Sequence, residues 1–169
     1  HCARGCSIFV DHHKEKYQDE KIYRYRPRLN EKINGYFICD AGRLSYAKEN
    51  ENADFNALIR GMVSEYEYAE GKLLRLLKRY LGKTVFVIAS SLSLEEMVRV
   101  QKLAKLYDGT LFAYEEGRFD THFGDDFLKC NDRSANARAL PLLGIDDSKE
   151  SLQNALIGAE LVVMIGRSD

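Results

Sequence analysis

No apolar run in this sequence approaches the roughly 20 residues needed to span a bilayer. The longest, Val85 to Ala89 and Leu161 to Ile165, have the length of buried strands. An excess of one charge is also missing. Against 26 acidic residues stand 25 Lys and Arg, a formal net charge of −1. That balance carries no signature of a nucleic-acid or membrane-surface binder. There is no internal repeat, no low-complexity tract and nothing that reads as a secretory leader. The chain opens on His1-Cys2 without a Met and stops soon after an apolar run at Ile165, which reads as a processed or excised piece. No Ser–His–Asp or Cys–His pairing is indicated, and Glu95-Glu96 and Asp125-Asp126 read as a helix start and a loop. No glycine pattern resembles G-x-G-x-x-G.

What is present suits a soluble α/β protein of one medium domain or two small ones: 169 residues, 45% hydrophobic and 30% charged. Such a length can bury a core without disulfide staples. Residues 1–50 differ from the rest. Ser7 to Val10 and Lys21 to Arg26 are short β-type runs, with Tyr17 to Glu20 as the turn between them and Pro27 as the stop. Asn34-Gly35 is a turn pair, after which Tyr36-Phe37-Ile38 runs into Cys39. The expectation is a small antiparallel sheet that returns a late cysteine to the early ones. It has too few aliphatic residues for a core of its own, and so needs a metal or a neighbouring domain.

Residues 51–82 read as a polar linker followed by a helix. Ser64 and Glu67 have capping-box spacing, and Ala69, Leu73, Leu76, Leu77 and Tyr80 recur at helical intervals before Gly82. Residues 83–169 read as strand, helix, strand. Thr84 to Ala89 is apolar without alternation, as a strand covered on both faces should be. Ser93 and Glu96 form a second capping box, and Thr110 to Tyr114 a second strand. A further helix over Ser151 to Ala159 feeds a last strand, Leu161 to Ile165, and Glu115 to Asp147 is loop-like with a short helix near Ala135 to Leu140.

Three of the four cysteines, Cys2, Cys6 and Cys39, lie in the first quarter. Clustered cysteines in an otherwise cytosolic-looking α/β chain favour metal over disulfides. Soft thiolates from one tight loop, Ala3-Arg4-Gly5, plus another brought in by the fold are what an iron–sulfur group requires. Zinc accepts the same thiolates and stays open as an alternative. Cys130 reads as an incidental or buried thiol. His12 and His13 read as part of a solvated charged turn. Arg24 to Arg28 reads as the outer face of a strand rather than a single-stranded nucleic-acid site. Tyr23, Tyr25 and Tyr36 are expected to keep water from the cysteines.

The runs His1-Cys2-Ala3-Arg4-Gly5-Cys6-Ser7-Ile8 and Asn34-Gly35-Tyr36-Phe37-Ile38-Cys39-Asp40-Ala41-Gly42-Arg43 resemble the large iron–sulfur subunits of bacterial NADH:quinone oxidoreductase, respiratory complex I. The likeness is to their region within the molybdopterin-oxidoreductase superfamily. Ile88 to Glu96, Asp126 to Asn136 and Leu143-Gly144-Ile145 are similar to later motifs of the same family. The resemblance implies a small β iron–sulfur module followed by part of a Rossmann-like, mostly parallel α/β domain. On that alignment Cys2, Cys6 and Cys39 are the second, third and fourth ligands of a [4Fe–4S] cluster, and the first would lie three positions ahead of Cys2. Ala41 stands where molybdenum enzymes of the superfamily often carry lysine, which points away from bound molybdopterin. In members that bind it, strand-end loops contact the nucleotide; the corresponding places are Ser90, Ser91, Gly166 and Ser168. The resemblance further implies electron transfer within the peripheral arm of complex I, beside its other subunits, on the cytoplasmic face of the membrane and without insertion. The chain alone is not expected to be catalytic. The competing reading is a molybdopterin-dependent oxidoreductase such as a formate dehydrogenase.

Overall fold

A computed structural model of the chain describes residues 2–14, 20–51, 56–125 and 127–166. The chain is mixed α/β and divides into two units, one of residues 1–53 with 117–135, the other of 54–116 with 136–169. The expected turn at Tyr17 to Asp19 and the end loop with Ser168 lie outside the described residues.

In the first unit, β1 (Ile8–His13) and β2 (Lys21–Pro27) pair antiparallel, Ile8 opposite Pro27 and Val10 opposite Tyr25. The register shifts between Asp11 and His12. Proline has no donor for the ladder and sits at the strand end, as expected. Two short helices follow, α1 (Asp40–Leu44) and α2 (Tyr46–Glu49). The sequence reading had Tyr36-Phe37-Ile38 running into Cys39 within a small antiparallel sheet and gave no helix here. Tyr36 to Ile38 is not a strand, and Cys39 enters as the residue preceding a helix. Asn50 joins α2 to the sheet by imitating a strand: its Oδ1 accepts the Ile22 N–H at 2.9 Å and its Nδ2 donates to the Ile22 carbonyl at 2.7 Å. Tyr25 packs edge-on against Tyr46, ring centroids 6.2 Å apart. The buried apolar residues of this unit, among those described, are Ala3 and Ile38. Polar contacts therefore carry much of its organisation.

In the second unit, β3 (Ala57–Ile59) and β4 (Met62–Ser64) form a hairpin that the linker reading missed. Its two-residue turn is Arg60-Gly61, both at positive φ, the geometry that matches strand twist in tight hairpins. Because Ser64 belongs to β4, the expected capping box does not form. Helix α3 (Tyr66–Arg79) is preceded by Glu65 and has no side-chain cap. The other box does form: Ser93 caps α4 (Leu94–Leu106), with its hydroxyl accepting from Glu96 N and the Glu96 carboxylate accepting from Ser93 N.

The sheet is β5 (Thr84–Ile88), β6 (Thr110–Ala113) and β7 (Leu161–Ile165), in the order β6-β5-β7 and parallel throughout. All of β5 is buried, and its residues alternate between two faces. Phe86 and Ile88 join Leu77 of α3 and Met97, Val100 and Ala104 of α4 in the main core. Val85 and Val87 face Leu152 of α6 (Lys149–Ile157). Before α6, a 3-10 turn at Ala137–Ala139 leads into the short α5 (Leu140–Leu143).

Candidate metal centre

Cys2 and Cys6 bracket Ala3-Arg4-Gly5, and this short segment is fixed along its length. The Ala3 N–H donates to the Asp132 carbonyl at 2.8 Å. Arg4 Nε donates to the Ile33 carbonyl at 2.9 Å. Just past Cys6, the Ser7 N–H donates to Oδ1 of Asn34 at 2.9 Å. Gly5 turns the chain back toward Cys6 at φ +70°, a conformation glycine takes at little cost.

Cys39 arrives from the other side. Its extended backbone precedes α1, and its Sγ accepts the Gly42 N–H at 3.3 Å. One otherwise unpaired helix donor is satisfied this way. Asn34, 4% exposed, ties the two arms together. While its Oδ1 holds Ser7, its Nδ2 donates to the Phe37 carbonyl at 2.9 Å, two residues ahead of Cys39.

Residues 117–135 complete the unit. The Asp132 carboxylate pairs with Arg118 at 2.9 Å, both side chains being less than a fifth exposed, while its backbone carbonyl holds Ala3. The Phe127 ring meets Phe37 edge-on, centroids 5.7 Å apart. Asp125 Oδ1 accepts the N–H groups of Phe127, Leu128 and Lys129 and so shapes the approach to Cys130. The amides, Leu128 first, hold its carboxyl below the usual range.

All four cysteines fall in the first unit. Burial pushes the Cys6 thiol up, and Cys2 and then Cys39 push it further; Arg4 opposes the rise and Cys130 adds to it. All four cysteines are half-buried free thiols. As donors they are the soft ligands an iron–sulfur group takes. Among the described residues, however, no three His, Cys, Asp or Glu side chains are drawn into a group able to hold a metal ion. The three sequence-picked cysteines thus belong to one unit of the fold, Cys2 and Cys6 flanking one short loop and Cys39 preceding α1.

Comparison with known proteins finds a likeness over part of this chain. The chain is similar to a subunit of NADH-quinone oxidoreductase. That relative, from Buchnera aphidicola subsp. Baizongia pistaciae (strain Bp), is 48% identical over 50 residues. Those residues are 30% of this chain and 5% of the relative's length. No family model matches the chain, and no solved structure does.

Several residues of the cysteine unit have a place that spacing alone did not give them. Asn34, Arg4 and Asp132 organise the cysteine loop through partners 27 or more residues away. Cys130, expected to be a buried or incidental thiol, is half-buried and belongs to the same unit as the other three cysteines. The expected aromatic shield is not formed by Tyr23 and Tyr36, which are exposed, Tyr36 at 70%; Tyr25 is half-buried against Tyr46, and Phe37 and Phe127, though they meet edge-on, are exposed as well.

In the second unit, the strand-end positions face one another. Ser90 is buried and its hydroxyl donates to Glu115 at 2.7 Å. The loop after it is held by Asn136, whose Nδ2 donates to the Leu92 carbonyl at 2.7 Å. Gly166 approaches so closely that a Cβ there would sit 2.8 Å from that of Ala89. Ser91 is exposed. Among the described residues, no helix is long and apolar enough to cross a membrane.

Proposed function

We propose that this chain is part of the electron-transferring iron–sulfur subunit of an NADH:quinone oxidoreductase, with Cys2, Cys6 and Cys39 as three thiolate ligands of a [4Fe–4S] cluster. The carrying observation is that these cysteines, with 32 residues between Cys6 and Cys39, come from two arms of one unit that Asn34 joins. The likeness to a stretch of an NADH-quinone oxidoreductase subunit supports the same reading. When bound, the cluster supplies one-electron chemistry. This chain's own residues would hold the thiolates in place, and the Gly42 N–H supplies an amide donor to Cys39. The first ligand of the pattern falls three positions ahead of Cys2. In this reading the second unit is a cofactor-free α/β scaffold that packs among peripheral-arm subunits on the cytoplasmic side. Hydride transfer and quinone reduction belong to other parts of the assembly.

Metal and sulfide analysis of the full-length protein tests the proposal. Substituting Cys39→Ser is expected to remove about four iron and four inorganic sulfide per protein relative to wild type. Unchanged iron in that variant contradicts the ligand set. Stoichiometric molybdenum or tungsten in the wild type places the chain among molybdopterin-dependent oxidoreductases instead.

A further inference from the structure

The strand β1 has one strand neighbour among the described residues, β2. One step beyond the Ile8–Pro27 pair, the Arg28 N–H donates to the Ser7 carbonyl at 3.0 Å. Bonded and non-bonded pairs alternate along an antiparallel ladder, so Phe9 and Asp11 turn their backbone groups toward β2 while Ile8 and Val10 turn theirs outward. Pro27, with no N–H to give, accordingly stands opposite Ile8. The outer side of β2, by contrast, is met at Ile22 by the Asn50 amide. Open edges are ordinarily blunted by proline, lysine or a bulge. Ile8-Phe9-Val10 has none of these, all three side chains are exposed, and the register shift falls beyond them, after Asp11.

The same strand pair carries positive charge in excess. Arg24 and Arg26 both reach across to the single carboxylate of Asp11, at 2.5 and 2.8 Å, with side chains 64% and 48% exposed. Arg26 also lies over the Phe9 ring, 5.4 Å from its centroid, which brings its guanidinium onto β1. Two cations thus share one anion, and Glu20, just ahead of β2, is engaged by His12. We propose that the outer edge of β1 is a docking site for an extended, acidic segment of a partner protein, which adds as a third strand. Amide groups of the segment meet those of Ile8 and Val10, and its carboxylates meet Arg24 and Arg26 on the face that carries Phe9. Strand addition takes affinity from the main-chain ladder and specificity from alternate side chains. A nucleic-acid backbone offers the negative charge without the alternating N–H and C=O groups, and so satisfies half of this surface. None of the cysteines takes part.

The test uses the full-length protein and a labelled peptide alternating glutamate and valine, read by fluorescence anisotropy at low salt. A lysine–valine peptide and a thymidine oligonucleotide serve as comparisons. The glutamate peptide is expected to bind and the lysine peptide not, and amide hydrogen exchange over residues 8–11 is expected to slow on binding. Replacing both arginines, Arg24→Gln with Arg26→Gln, is expected to weaken binding on the order of tenfold. Val10→Pro removes an outward N–H, a change tolerated at a strand edge, and is expected to abolish it. No binding of the glutamate peptide up to about 1 mM overturns the proposal. Binding that leaves exchange over residues 8–11 unchanged, or that survives Val10→Pro, overturns it too, because the charge then acts without the strand edge. Tighter binding of the oligonucleotide than of the peptide overturns it in favour of a nucleic-acid surface. Should Val10→Pro fail to fold, the exchange measurement and the arginine pair decide alone, and unchanged affinity in the arginine pair overturns the acidic assignment.

Discussion

Asn34 uses both ends of its amide inside a unit with few buried aliphatic residues, and its loss is therefore costly at the scale of a single side chain. Truncation by Asn34→Ala leaves the Ser7 N–H and the Phe37 carbonyl without their partners. Buried groups deprived of partners cost about 1–3 kcal/mol each. The expected destabilisation is about 2–3 kcal/mol, read as a lowered urea midpoint with unchanged slope. Asp11 offers a pH test. Hydrogen bonds from Arg26 and Arg24 hold its carboxyl well below the usual range. A carboxyl depressed on folding contributes stability that is complete above its unfolded pKa, about 3.9, and is lost as pH falls toward the folded value. The difference in stability between wild type and Asp11→Asn should stay level from about pH 8 to pH 5 and shrink below about pH 4. A difference that grows on acidification contradicts the assignment. The cysteines could be picked out as candidate ligands from their spacing. Asn34 was not, because an Asn-Gly pair signals a turn and says nothing of partners far away in sequence.

Among elements, two serines with the same local pattern separate cleanly. Ser93 and Ser64 each precede a glutamate by three positions, yet Ser93 closes a capping box and Ser64 ends a strand. Backbone and hydroxyl bonds from Ser93 also hold the Glu96 carboxyl below its ordinary value. Ser93→Ala is expected to cost about 1 kcal/mol, the usual worth of such a cap. Ser64→Ala should lie within about 0.5 kcal/mol of wild type. Thermal midpoints of the two variants check both statements, and equal losses contradict the structural distinction. The reason for the failed reading is tertiary: the Arg60-Gly61 turn draws Ser64 into pairing with Ala57 before α3 begins. Where burial on both faces dictates the pattern, as in β5, the sequence was unambiguous. Short helices such as α1 and α2, with no buried residues of their own, left no periodic trace.

For the whole molecule, the instructive feature is that the first unit is discontinuous. Residues 117–135 leave the sheet-bearing unit after β6 and complete the cysteine unit through Asp132, Arg118 and Phe127. A linear reading sees a loose loop there, because its order comes in part from contacts with residues far earlier in the chain, such as Ala3 and Phe37. The α/β class and the parallel sheet were visible from composition and patterning. The central claim concerns the chemistry of that first unit, and electron paramagnetic resonance of reduced, anaerobically prepared full-length protein tests it most directly. The account predicts a [4Fe–4S]⁺ component in the wild type that disappears in Cys39→Ser. A spectrum that the substitution leaves unchanged contradicts it.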